Sequence, residues 1–174
     1  MVYKIRVILN AEEDVIRDIA IEAASTLEDL HNAINNAFGF YGDQMASFYI
    51  SDDKWNQGRE YPLFDMSESA GEVVPMSEVD LEEIFIGQSR KLLYVYDFFN
   101  MWSFYVELID SDFDPNSLEL PRLVFSLGNI PSHAPELHFE SDYQGEKDAM
   151  DEDAFDEEDD FFPEDDEFPD FHYN

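Results

Sequence analysis

The stretch Leu92–Ile109, LLYVYDFFNMWSFYVELI, limits what this chain can fold into more than any other. Leu92, Tyr94 and Tyr96 alternate with Leu93 and Val95. After a break, Trp102, Phe104, Val106 and Leu108 alternate with Ser103, Tyr105 and Glu107. Period two over both arms predicts two strands, and Asp97 to Met101 the turn that joins them. The first arm is apolar on both sides, which predicts a central strand covered on both faces. The turn sets the polar Asp97 and Asn100 beside Tyr96 and Trp102. These four residues form the candidate pocket.

The rest of the chain supplies partners for that hairpin. Tyr3, Ile5, Val7 and Leu9 alternate with Lys4 and Arg6, a half-buried strand. Residues 15–23 alternate again, with Ile19, Ile21 and Ala23 opposite Asp18 and Glu22, and a hairpin with the first strand is the simplest pairing. Leu27, Leu30, Ile34 and Phe38 then recur at helical spacing. Ser25 and Glu28 have the spacing of a capping box, and Gly39 stands where a left-handed cap ends a helix. His31 borders the apolar stripe and reads as a boundary histidine. A third strand is expected over 46–50, a short extended piece over 61–64 and a second helix over 77–85. Ser77 or Asp80 would cap that helix and Gly87 would end it. A last strand over 118–127 must hold Pro121 at an edge or a start, because proline lacks the N–H that a ladder needs.

Charge divides the chain. Its net charge is −33, from 42 acids and 9 bases. Residues 140–174 hold 17 of the acids and one base, Lys147, and residues 131–174 read as an irregular arm and acidic tail. Such a field repels phosphates, which disfavours nucleic acid and anionic membranes as partners. A protein partner with a basic surface is favoured. The tail reads as a solvated segment that keeps the chain soluble, as a ligand for a basic-rimmed apolar groove, or as a mimic of nucleic-acid charge. Phe155, Phe161, Phe162, Phe168 and Phe171 punctuate it, and since a purely solubilising tail needs no such anchors they raise the second reading. Lys4, Arg6, Arg90 and Lys91 are the attraction points on the body for such a tail, if folding gathers them. The chain has no cysteine, which suits a reducing cytoplasm and removes thiolate sites. Its first ten residues, MVYKIRVILN, are interrupted by charge and do not read as a signal peptide.

Four segments resemble the plasmid pRi ORF-three-like domain family, also known as insertion-element passenger or TnpR-type proteins. Tyr3-Lys-Ile-Arg-Val-Ile-Leu9 is similar to its opening strand. Residues 26–40, TLEDLHNAINNAFGF, resemble its T-L-x-x-L-H-x-x-I-x-x-A-F-G-W helix. Tyr94-Val-Tyr-Asp-Phe98 followed by Trp102 resembles its Y-x-Y-D-F-G-D-x-W motif, and Leu120-Pro-Arg-Leu-Val124 its proline-led segment. The resemblance implies a mixed α+β domain over about residues 2–130, and it implies no activity or cofactor. Where the family has Gly-Asp this chain has Phe99-Asn100, and Phe104 stands in place of a histidine. The family's cysteine-containing, glycine-rich C-terminal segment is absent.

No phosphate loop, nucleophile elbow or zinc-protease motif appears. His133 and His138 are five apart, with no thiolate to join them, and the acidic run lacks the alternation and central glycine of a calcium loop. Asp97 at a strand end, amid aromatics, is either a group with a raised pKa or a turn aspartate accepting backbone N–H bonds. The expectation is one α+β domain over 1–130, a mixed, mainly antiparallel sheet with one main helix packed on it. The chain is expected to be a noncatalytic interaction or accessory protein without cofactor, associated with a mobile element. The alternative is an enzyme or small-ligand domain with a pocket near Asp97 and Trp102.

Overall fold

A computed structural model describes residues 1–69, 71–86, 90–117 and 119–136. Seven strands and two helices follow in chain order. They are β1 Val2–Leu9, β2 Ile16–Glu22, α1 Leu27–Phe38, β3 Ala46–Ser51, β4 Gln57–Pro62, α2 Leu81–Ile84, β5 Lys91–Tyr96, β6 Trp102–Asp110 and β7 Arg122–Leu127. The strands form one sheet in the order β4-β3-β5-β6-β1-β2-β7, and all six pairings are antiparallel. The expected sheet with one main helix is what the chain forms. The β5–β6 hairpin lies near its middle, with Tyr94 opposite Phe104 and Tyr96 opposite Trp102.

Alternation decides which face is core. Tyr3, Ile5, Val7 and Leu9 of β1 are buried, as are Leu92, Tyr94 and Tyr96 of β5 and Trp102, Phe104, Val106 and Leu108 of β6. Leu27, Leu30, Ile34 and Phe38 lay the stripe of α1 among them. Phe48, Tyr94 and Phe104 are almost fully enclosed, and each contributes about 2–3 kcal/mol by leaving water. The other face was expected to be covered as well. It is only half covered, because among the described residues no helix packs there: Leu93 and Val95 are half-buried, beside Tyr105 under Trp55 (ring centroids 4.8 Å).

Local corrections have physical reasons. The capping box is Thr26–Asp29 rather than Ser25–Glu28: the Thr26 hydroxyl accepts from Asp29 N–H, and the Asp29 carboxylate accepts from Thr26 N–H at 2.8 Å. Both pairs have the right spacing. Ser25 is instead drawn into the body, where its carbonyl accepts Leu81 N–H at 2.8 Å. The second helix is a single turn after a short 3-10 turn at Met76–Glu78, and Asp80 caps it without a side-chain bond. Gly87, its expected end, lies outside the described residues. The extended piece expected at 61–64 starts earlier, as β4, and Pro121 stands just ahead of β7 at the sheet edge.

Candidate functional site

Antiparallel register gathers four features at one end of the sheet. These are the β1–β2 turn, the β5–β6 turn, the C-terminus of α1 and the arm that follows β7. Leu9 lies opposite Phe104 and Ile16 opposite Leu127. Asn10 N–H donates to Ser103 C=O at 2.9 Å, tying the two turns together.

The β5–β6 turn holds the residues singled out in the sequence. Asp97 has φ 59° and Met101 φ 58°, both left-handed, a region that aspartate tolerates better than most residues. One Asp97 carboxylate oxygen accepts N–H bonds from Phe99 (3.1 Å) and Asn100 (3.2 Å), and the other accepts the Asn100 side-chain amide at 2.6 Å. The Asn100 side-chain bond, then the backbone donors, hold its pKa below the ordinary carboxylate value. Asp97 is therefore the turn aspartate of the two readings, with its acceptors engaged locally.

Tyr96 and Trp102 lie side by side on the buried face, and Phe40 packs on both at 4.9 and 5.0 Å between ring centroids. The Tyr96 hydroxyl accepts Gly42 N–H at 3.1 Å and lies 3.4 Å from Asp43 Oδ1. Burial is the main cause of its raised pKa. A shallow cleft of about 420 Å³ touches Phe40, Tyr96, Asp97 and Trp102 and is closed on its far side by Ile130, Pro131 and Ser132. Three of the four expected pocket residues thus share one cleft. Asn100 is not among those lining it and is bonded to Asp97 instead.

A larger cleft, about 720 Å³, opens on the other side of the same arm. Ala11, Val15, Ile130, Pro131 and Pro135 give it apolar walls, and Glu12, Glu13 and Glu136 bring carboxylates. Ile130 and Pro131 line both clefts, so the arm is the ridge between them.

Two residues that sequence reasoning missed hold that ridge in place. Arg17 is 6% exposed and donates to the carbonyls of Ile16 (2.8 Å), Leu127 (2.7 Å), Gly128 (3.2 Å) and Ala37 (3.4 Å). Its guanidinium also lies 5.3 Å from the Phe38 ring centroid. A cation at the C-terminus of α1 meets the negative end of the helix dipole, although the helix has no base in its last turn. Burial lowers the Arg17 pKa. Gly128 is the second residue: its φ is +77°, and a Cβ there would lie 2.0 Å from the Asp14 carbonyl oxygen. Only glycine lets the arm pass so close to the β1–β2 turn. A glycine directly after an apolar strand was the one available signal.

His31 corrects an expectation. It is core rather than boundary, 2% exposed, with Nδ1 2.8 Å from the Tyr94 hydroxyl and Nε2 3.0 Å from the Asn35 amide. Burial lowers its pKa to about 4, so it is neutral at pH 7. Tyr94 across the core and Asn35 one turn on supply the partners that a stripe-edge reading did not foresee.

Folding brings three of the four bases expected to attract the tail to one sheet face, with Arg6 and Lys91 on either side of Glu107 and Lys4 two residues along β1, but each sits beside a carboxylate. Lys4 and Arg6 both engage Asp18, Arg6 through two bonds at 2.8 and 2.9 Å. Lys91 lies over Trp55, two strands from β1. His133 meets the Ser132 hydroxyl at 2.9 Å, while His138 lies outside the described residues. The tail anchors Phe155, Phe161, Phe162, Phe168 and Phe171 lie outside them too. Among the described residues no group of three or more His, Cys, Asp or Glu is arranged to hold a metal, and no helix is long and apolar enough to cross a membrane.

Comparison with known proteins agrees with this architecture. A family model described as plasmid pRiA4b ORF-3-like protein matches residues 1–136. The crystal structure of a protein of unknown function, MM3350 from Methanosarcina mazei Go1, is similar at TM-score 0.59 and 21% identity. The match covers 72% of this chain and 68% of that one, which supports the fold alone. A search of curated proteins finds no match.

Proposed function

Because the chain belongs to the plasmid pRiA4b ORF-3-like family, we propose a function built on what that fold gathers at one end of its sheet: a noncatalytic interaction module that takes a basic segment of a protein partner. The carrying observation is the cleft of about 720 Å³, with apolar walls and three glutamates. Lysine and arginine fit such a surface, since their stems bury along apolar walls while their heads meet carboxylates. The tail belongs to the same proposal: its acids speed the approach of a basic partner, and Phe155, Phe161, Phe162, Phe168 and Phe171 give it apolar anchors. The family description names a plasmid open reading frame, and on that ground we extend the proposal to an accessory role on a mobile element in the cytoplasm.

The second reading is a small-ligand or catalytic pocket at Tyr96, Asp97 and Trp102. The aromatic cleft of about 420 Å³ favours it, while the engagement of Asp97 in its own turn weighs against it.

The test separates a shaped site from bulk acidity. A fluorescently labelled peptide of alternating Lys and Leu is titrated with the full-length protein, beside an equally long peptide of alternating Lys and Ser. The two carry the same charge, so the tail's carboxylates attract them equally, and protein with Phe155, Phe161, Phe162, Phe168 and Phe171 changed to serine keeps the tail's rings from favouring the leucine peptide. The proposal expects the leucine peptide to bind about tenfold tighter, the return from burying two or so methylenes against the apolar walls. Equal affinity for the two would sink it.

A further inference from the structure

We propose that the outer edge of β7, which carries no further strand among the described residues, pairs with β7 of a second copy, joining two sheets into one. The surface is distinct from the clefts of the preceding proposal and does not depend on it.

The two edges of this sheet are built differently. At one edge β4 shows solvent Gln57, Gly58, Arg59 and Glu60. Charged side chains on an edge strand discourage further strand pairing. At the other edge β7 shows solvent Leu123, Phe125 and Leu127, exposed by 42%, 43% and 46%. An edge strand leaves alternate backbone N–H and C=O groups unpaired on its outer side, and an apolar edge is a template for another strand. Both edges carry a register shift, so a bulge does not distinguish them.

Two observations identify the occupant as a copy of this chain. Phe125 and Leu127, opposite Asp18 and Ile16, share one face of β7 and stand symmetrically about Ser126, while the register shift turns Leu123 to the face of Ile19. A two-fold interface must be self-complementary. In an antiparallel pair centred on Ser126, Phe125 meets the copy's Leu127 on that shared face. Charge is the second observation. Residues 120–135 contain no Asp or Glu, in a chain of net charge −33, and β7 itself carries only the base Arg122. Two such acidic chains repel each other wherever carboxylates are dense, and the β7 edge is where they approach at least cost. Six residues a side fall short of the ~1,200 Å² that a stable interface buries, so the dimer is weak and depends on concentration.

Sedimentation equilibrium of the full-length protein, over a range of concentrations at low and high salt, provides the test. The mass is expected to rise from 20.3 kDa towards twice that value, and further as salt screens the repulsion. Phe125→Lys with Leu127→Lys, which alters only exposed side chains, is expected to weaken association about tenfold or more. The chain lacks cysteine, so Ser126→Cys, on an exposed residue at the centre of the pair, introduces a unique thiol, and mild oxidation is expected to link copies through it. Arg59→Cys, on the β4 edge, is expected to stay unlinked. A mass fixed at one chain at every concentration and salt overturns the proposal. So does a dimer indifferent to the lysine pair, as docking through the tail or another face would give, or equal cross-linking from both edges.

Discussion

The β5–β6 turn and the β1–β2 turn sit at the same end of one sheet, tied by the Asn10–Ser103 bond, and they use their carboxylates in opposite ways. Asp97 sends its oxygens inward, to the backbone of Phe99 and Asn100 and to the Asn100 amide. Glu12 and Glu13 form no part of their turn's framework and line the wall of the larger cleft with Ile130 and Glu136. The turn that looks most like a site in the sequence therefore uses its polar groups to shape itself. The turn that looks like plain polar filler leaves its acids facing a cavity. A carboxylate's role follows from what else needs a hydrogen bond nearby, more than from the residues that flank it in the text.

The contrast can be broken from underneath. Arg17 fixes the arm that forms the far wall of both clefts, through bonds to Leu127, Gly128 and Ala37 carbonyls. Arg17→Leu is expected to lower stability by about 3 kcal/mol, because four part-buried carbonyls lose a charged donor at once. Chemical denaturation measures this. The leucine peptide's advantage over the serine peptide should vanish with it, while the Asp97 turn keeps its amide NMR shifts. Loss of the turn shifts as well would mean that the two regions are one cooperative unit.

Acid comes next in size. The pKa of His31 is lowered from 6.5 to about 4 by burial in the core behind both turns. The unfolded chain therefore takes the proton first. The stability tied to the neutral ring is complete above about pH 6.5 and is lost as pH falls from there towards 4, by at most about 1.4 kcal/mol for each pH unit. Denaturation midpoints of the wild type and His31→Gln, compared across that window, should converge as pH falls. Parallel curves would contradict the assignment.

The smallest effect is expected at the turn itself. Asp97→Ala should cost about 1–2 kcal/mol, from lost acceptors and from a left-handed backbone that alanine adopts less readily than aspartate. Asp97→Asn should cost less. Neither should change peptide affinity. An Asp97→Asn protein that keeps its thermal midpoint but loses peptide or ligand binding would favour the second reading of the site.

Much of this fold was legible in the residues, and the reasons are local. Period-two alternation placed β1, β5 and β6, because each sheet face faces one environment. The stripe from Leu27 to Phe38, closed by Gly39, placed α1. The misses occurred where local signals were degenerate or partners distant. Ser25–Glu28 and Thr26–Asp29 carry equal capping spacing, and only the docking of the α2 segment onto Ser25 separates them. His31 depends on Tyr94, 63 residues away. Arg17 has the parity of Ile19 and Ile21, on the apolar side of β2, and its role exists only once β7 and the end of α1 surround it. The larger cleft was invisible for the same reason, since its walls come from residues 10–15 and 129–136. Asp97 was legible as a choice between two roles, and hydrogen-bond geometry chose.

The central claim is that the acids of the β1–β2 turn and the arm form a shaped site for a basic segment. Titration of the leucine peptide against full-length protein carrying Glu12→Lys, Glu13→Lys and Glu136→Lys tests it most directly. The claim predicts that affinity for the leucine peptide falls to that of the serine peptide, with thermal stability unchanged and the tail intact. A leucine preference that survives the three reversals would contradict it.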